Sequence, residues 1–164
     1  MPSPELQFLI YKVDSDSQSV DVVVRYETVW ATQKAMADLF GVDKTGISRH
    51  LKNIFESNEL DKNMTVAKIA TVINRGRRGL ATEDLTYYNL DAIISVGYRV
   101  NSQKATRFCQ WATSVLKEYM IKGFAMDDER LKQGERLFTQ DYFKELLERV
   151  RSIRAAPSVH VKKV

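Results

Sequence analysis

Apolar and polar positions change their period several times along the chain. Leu6 to Val13 and Val20 to Tyr26 are rich in β-branched and aromatic residues, with the polar cluster Asp14 to Ser19 between them. They predict a β-hairpin with an irregular loop. From Trp30 to Phe55 the valines give way to Ala, Met, Leu and Lys. Apolar residues now recur at Met36, Leu39 and Phe40, then at Ile47, Leu51, Ile54 and Phe55. Both sets follow helical spacing, and Gly41 and Val42 interrupt them, so two short helices meet at a tight turn. Met64 to Ile73 and Leu85 to Leu90 read as strands. Between them Asn74 to Gly79 holds two glycines that tolerate positive φ, which predicts a second hairpin. Leu90 to Val96 predicts a short helix. Ser102 to Lys122 is the most regular one, with a stripe of Phe108, Trp111, Ala112, Val115, Leu116, Tyr119 and Met120, and Gly123 as its stop. Asp127 and Asp128 suit the start of another helix, and Phe143, Leu146, Leu147 and Val150 form a last stripe after Thr139. The period is lost after Ile153, and Pro157 to Val164 reads as a disordered tail dispensable for folding.

These elements predict an α+β chain: an N-terminal β-hairpin over residues 1–29, a winged helix-turn-helix over 30–90, a helical module over 91–155 and a tail over 156–164. The segment Thr32 to Phe55 carries the functional signal. Ala37 is small where two helices must approach closely, and Gly41 sits four residues later, where the chain turns. Met36, Phe40, Val42 and Ile47 supply a core between the helices. His50 stands where such a motif has a further apolar residue, so Leu51 and Ile54 are expected to anchor a slightly rotated second helix. Its polar face is then Lys44, Thr45, Ser48, Arg49, Lys52 and Asn53, side chains that donate to phosphates and base edges. An ordinary helical hairpin with a solvated basic face remains the alternative at this stage. If the second hairpin is a wing, Arg75, Arg77 and Arg78 at its tip suit a phosphate backbone or a minor groove, with no acid nearby to neutralise them. An exposed basic turn is the other reading.

Charge sharpens this picture. The whole chain of 164 residues carries only +4, but residues 1–43 hold a net −4 and residues 44–117 a net +6. Lys62 to Thr82 and Ala92 to Lys117 contain no acid at all. Phosphate neutralisation needs such unopposed Lys and Arg. Arg99, Lys104 and Arg107 are expected to add a secondary basic patch. With 44% hydrophobic residues the chain can build a core without disulfide or metal. The single cysteine, Cys109, points to a reducing compartment, so a cytoplasmic location is expected. No apolar run is long enough to span a membrane, and the first residues lack the pattern of a signal peptide.

The block Tyr88-Asn-Leu-Asp-Ala-Ile-Ile-Ser-Val-Gly-Tyr-Arg-Val-Asn-Ser102 resembles the signature of the RhuM family of virulence-associated bacterial proteins. Ala105 to Phe108, Trp111 to Tyr119, Ile121 to Lys132 and Ile47 to Phe55 are similar to that family too, and the likeness runs over residues 6 to 155. Part of it is similar to phage antirepressor-type proteins. The resemblance implies a DNA-binding protein associated with genomic islands or prophages, with no established chemistry. Two departures stand out. Cys109 occupies a position where a basic or polar residue is expected. After the helix Tyr142 to Arg154 the chain turns into Ala155-Ala-Pro-Ser-Val-His-Val-Lys-Lys-Val164, whereas family members continue, which reads as a truncation or frame change. In its own terms the block is a tightly built corner: Asn89 or Asp91 caps the short helix, Gly97 ends it, and Asn101 or Ser102 caps the long one. A ligand pocket is the competing reading.

Catalysis finds little support. His50 lies in the expected reading helix and His160 in the tail, one cysteine makes no zinc cluster, and neither a phosphate-binding glycine loop nor a nucleophile elbow occurs. The expected function is therefore sequence-specific binding of double-stranded DNA in transcriptional control, without enzyme activity, metal or cofactor. A homodimer is the natural binding unit, because one helix-turn-helix covers few base pairs. An antirepressor-like module that binds another regulator through its helical part is the alternative.

Overall fold

The computed structural model describes residues 6–13, 16–26, 28–128 and 140–155, with side chains over 20–26, 28–128 and 144–155. The chain divides into two compact units, Met1–Ile121 and Lys122–Val164. The first is mixed α+β. Strands β1 (Leu6–Val13), β2 (Asp16–Arg25), β3 (Thr28–Ala31), β4 (Val66–Asn74) and β5 (Leu80–Asn89) form one antiparallel sheet in the order β1-β2-β3-β5-β4. Helices α1 (Gln33–Phe40), α2 (Lys44–Glu56) and the one-turn α3 (Lys62–Thr65) lie between β3 and β4 in sequence. Helices α4 (Leu90–Arg99) and α5 (Gln103–Lys122) follow β5.

The sheet obeys its period of two on both faces. Val20, Val22, Ala31 and Tyr88 point into the main core, where Met36, Phe40, Ile47, Leu51, Ile54, Ile93, Val96 and Phe108 meet them from the helices. Val23, Trp30, Ile69 and Tyr87 alternate with them and form a smaller cluster on the opposite face. Polar atoms there are matched: the Trp30 indole donates to the Arg25 carbonyl at 3.0 Å, and the Tyr87 and Thr71 hydroxyls lie 3.0 Å apart.

Several boundaries differ from the sequence expectation. Asp16 to Ser19 belong to β2, because pairing with Val13 to Ile10 holds these polar residues extended. Trp30 starts no helix. It sits in β3, a strand of four residues whose extended form depends on β2 on one side and β5 on the other. Met64 lies in α3, so β4 begins at Val66, and β5 starts at Leu80 rather than Leu85. Gly97 does not end α4, which runs on to Arg99. Gly123 does follow α5 directly, with φ of 78°.

The α5 stripe is only partly used. Phe108 is buried and Trp111 half-buried, while Leu116, Tyr119 and Met120 are exposed. In the second unit the structure describes helix α6 (Gln140–Ala155), whose Leu147 and Val150 are exposed and Leu146 half-buried. The helix expected to start at Asp127 and the tail expected over 156–164 fall largely or wholly outside the described residues. Among the described residues no helix is long and apolar enough to cross a membrane.

Candidate nucleic-acid interface

The helix pair is built by caps and by one turn. Thr32 accepts a hydrogen bond from the Ala35 amide at 3.1 Å to start α1, and Asp43 accepts one from Gly46 at 2.6 Å to start α2. Between them Gly41 takes the left-handed conformation, φ 65°, and its amide donates to the Ala37 carbonyl. Met36, Phe40, Ile47 and Ile54 are completely buried along the seam, and Leu51 nearly so. The expected anchors Leu51 and Ile54 are thus in place, and Phe55 stacks on Tyr88 with ring centres 6.5 Å apart.

That packing turns the other side of α2 outward. Lys44, Thr45, Ser48, Arg49, Lys52 and Asn53 are all exposed, and their spacing puts them on one side of the helix. Lys52 is within 3.8 Å of Glu56 one turn on, a solvated contact of small energetic consequence. His50, half-buried at the edge of this face, has its pKa lowered by desolvation first, then by the charges of Arg49 and Arg99. The imidazole is therefore biased toward its neutral form, and the basic character of the helix rests on Lys44, Arg49 and Lys52.

The second basic element is the β4–β5 hairpin. Asn74 pairs with Leu80, leaving Arg75 to Gly79 as the tip. Gly76 and Gly79 have φ of 63° and 78°, and the Asn74 side chain accepts from the Gly76 amide at 2.9 Å. Within the sheet β5 pairs with β3 only at Tyr88 and Asn89. The tip therefore overhangs the shared sheet by about 27 Å, eight residues at the rise of a strand. Arg77 and Arg78 are exposed there with no carboxylate in ion-pair range among the described residues. Arg75 differs from the expectation that no acid stands near: it forms an ion pair with Glu83 across the hairpin.

The Tyr88 to Ser102 block is the seat of the helix pair. Asn89 caps α4 by accepting from Ala92 at 3.2 Å. Gly97 faces Phe40 so closely that a Cβ there would lie 3.0 Å from Cζ of that ring. Phe40 in turn meets Phe108 edge-on, with centroids 5.3 Å apart. The Ser102 hydroxyl donates to the Phe40 carbonyl at 2.6 Å and accepts from Ala105 at 3.0 Å, so one side chain joins the end of α1 to the start of α5. The Tyr88 hydroxyl accepts from the Gln33 amide at 2.9 Å. The block is built as a structural corner, and its last residues, Asn101 and Ser102, line an open depression together with Gln103, Thr106, Arg107 and Gln110. Of the expected secondary patch, Arg99 is committed to Glu59. Sequence patterning had no access to that pair, since the partners are forty residues apart and meet only in the fold.

Among the described residues no three His, Cys, Asp or Glu side chains gather as a metal-ligating group. No curated protein and no solved structure matches the chain significantly. The Virulence protein RhuM family does match it, over residues 64–164. That span starts in α3 and takes in the second hairpin, α4, α5 and α6, leaving β1, β2, β3, α1 and α2 outside, and with them the Ile47 to Phe55 block that the sequence likeness included. Because the match extends over more than half of the sequence and includes the whole Tyr88 to Ser102 corner, the chain belongs to the Virulence protein RhuM family.

Proposed function

We propose that the chain binds double-stranded DNA in a sequence-dependent manner and acts as a transcriptional regulator, with α2 as the reading helix and the β4–β5 hairpin as a wing. The observation that carries this reading is the outward face of α2. Six donor side chains, Lys44, Thr45, Ser48, Arg49, Lys52 and Asn53, project from a helix whose opposite side is locked into the core. A major groove admits such a helix, and these side-chain types read its base edges and phosphates. The connectivity supports it: a helix pair between the first and second strands of the antiparallel set β3-β5-β4, followed by a long basic hairpin, is the chain order of a winged helix-turn-helix. One such unit reads few base pairs, so a symmetric dimer is the expected binding form.

The test is a titration of labelled duplexes at two salt concentrations. Electrostatic capture of DNA weakens steeply with salt, and a preference among duplexes reveals base reading. Binding that is absent at low salt overturns the proposal. A second reading, an antirepressor-like module for a protein partner, is favoured by the second half of α5, where Leu116, Tyr119 and Met120 are exposed. A regulator bound through that face would leave duplex affinity at zero.

A further inference from the structure

Lys104 stands on α5, far in sequence from the helix pair, yet its stem lies directly over the turn between α1 and α2. A Cβ built on Gly41 would fall 2.8 Å from Cδ of Lys104, 3.4 Å from Cγ and 3.6 Å from Cε. The lysine stem fills the space that any other residue's side chain would need. The Ser102 hydrogen bond to the Phe40 carbonyl holds the start of α5 in this place. Gly41 is followed two residues later by Asp43, the cap of α2, and then by Lys44 and Thr45. The stem of this exposed side chain therefore runs beside the turn that leads into the start of α2.

Two observations separate Lys104 from its neighbours in charge. Arg99 is neutralised by Glu59, whereas among the described residues no carboxylate comes within ion-pair range of Lys104. Its surroundings in sequence, Ala92 to Lys117, contain no acid. A long side chain ordinarily loses rotamer freedom when it binds, and the bare backbone of Gly41 leaves room for this stem to lie along the turn. Lys meets a phosphate as a point charge, and a phosphate contact carries no sequence information.

We infer that Lys104 is a phosphate anchor for DNA supplied from outside the helix pair, gripping the backbone that flanks the N-terminal end of α2. The inference rests on the DNA-binding reading, and one experiment tells the two apart. The full chain and its Lys104→Met, Lys104→Gln, Lys104→Arg and Arg49→Ala variants are titrated with a mixed-sequence duplex across a salt series, each variant first checked for an unchanged unfolding transition. Methionine keeps an apolar stem over Gly41 and removes the charge. Loss of one phosphate contact lowers the salt slope of log affinity by about 0.9. The expected result is that drop for Lys104→Met and Lys104→Gln, equal on duplexes of different sequence, with the wild-type slope kept by Lys104→Arg. Salt-dependent binding by the wild type with an unchanged slope in Lys104→Met and Lys104→Gln overturns the anchor alone. Absence of binding by the folded wild type overturns both readings.

Discussion

At Gly97 a single methyl group meets a wall. The added carbon would stand 3.0 Å and 3.2 Å from two atoms of Phe40 and 3.5 Å from Phe108. Alanine gains about 1 kcal/mol of helix propensity over glycine, but forcing a methyl into a filled core costs about 1–3 kcal/mol. Phe40 is completely buried and held edge-on by Phe108, so it has no room to withdraw. Gly97→Ala should therefore lower the melting temperature, and a rise would show that the ring yields. His50 makes a pH-dependent contribution. Its native pKa lies below the ordinary 6.5, chiefly through desolvation, then through Arg49 and Arg99. Below pH 6.5 the unfolded chain takes up a proton that the native state resists, so this part of the stability is complete above 6.5 and lost as pH falls. Urea midpoints measured above and below that pH should fall less for His50→Gln than for the wild type; identical falls would remove His50 from the account. Residue-level reading of the sequence was successful for the Asn89 cap and the Leu51 and Ile54 anchors, because these follow from spacings of three or four residues, whereas the caps Thr32 and Asp43 were not singled out. It missed Gly97, whose role is set by a ring fifty-seven residues earlier and not by its own helix.

At the scale of elements, the hairpin divides its arginines. Arg75 is engaged by Glu83, which leaves Arg77 and Arg78 for a partner. If the tip follows a DNA backbone, replacing Arg77 and Arg78 together should flatten the salt slope by about 1.8, while Arg75→Ala should change it little. A loss confined to A·T-rich duplexes would place an arginine in a narrow minor groove instead. An unchanged slope on every duplex would turn the hairpin away from DNA. The existence of this hairpin was readable from Arg75 to Gly79, where the glycines sit at turn positions. Its length was not, because Leu80 to Asp84 mixes small, polar and acidic residues and is extended only through its ladder with Ala70 to Asn74. The four-residue β3 escaped for a related reason: it is too short to display an alternation, and while β2 directly precedes it, its other neighbour, β5, comes from a distant part of the chain.

For the whole molecule, both clusters of buried side chains lie between Val20 and Phe108, inside the unit Met1–Ile121. A chain ending at Ile121 should keep a cooperative unfolding transition close in temperature to that of the full chain. If α2, the hairpin tip and Lys104 make up the DNA-binding surface, it should also keep the full salt slope. Calorimetry and duplex titration of the shortened chain check the two statements separately. A lost transition would mean that the second unit supports the first, and a lost slope with an intact transition would place phosphate contacts beyond Ile121.

The two helices of the pair, the turn at Gly41 and the outward residues of α2 were determined by the sequence alone. Each depends on short-range rules: the period of apolar positions, a cap three residues from its amide, a glycine where φ is positive. The family resemblance was likewise a property of contiguous blocks. Only the tertiary structure decided which charges stay available, by joining Arg99 to Glu59 and Arg75 to Glu83 while leaving Lys104 over Gly41. Charge pairing is a matter of distance in space, and a linear chain does not record which of its many acids will stand beside a given base once the sheet and helices have closed.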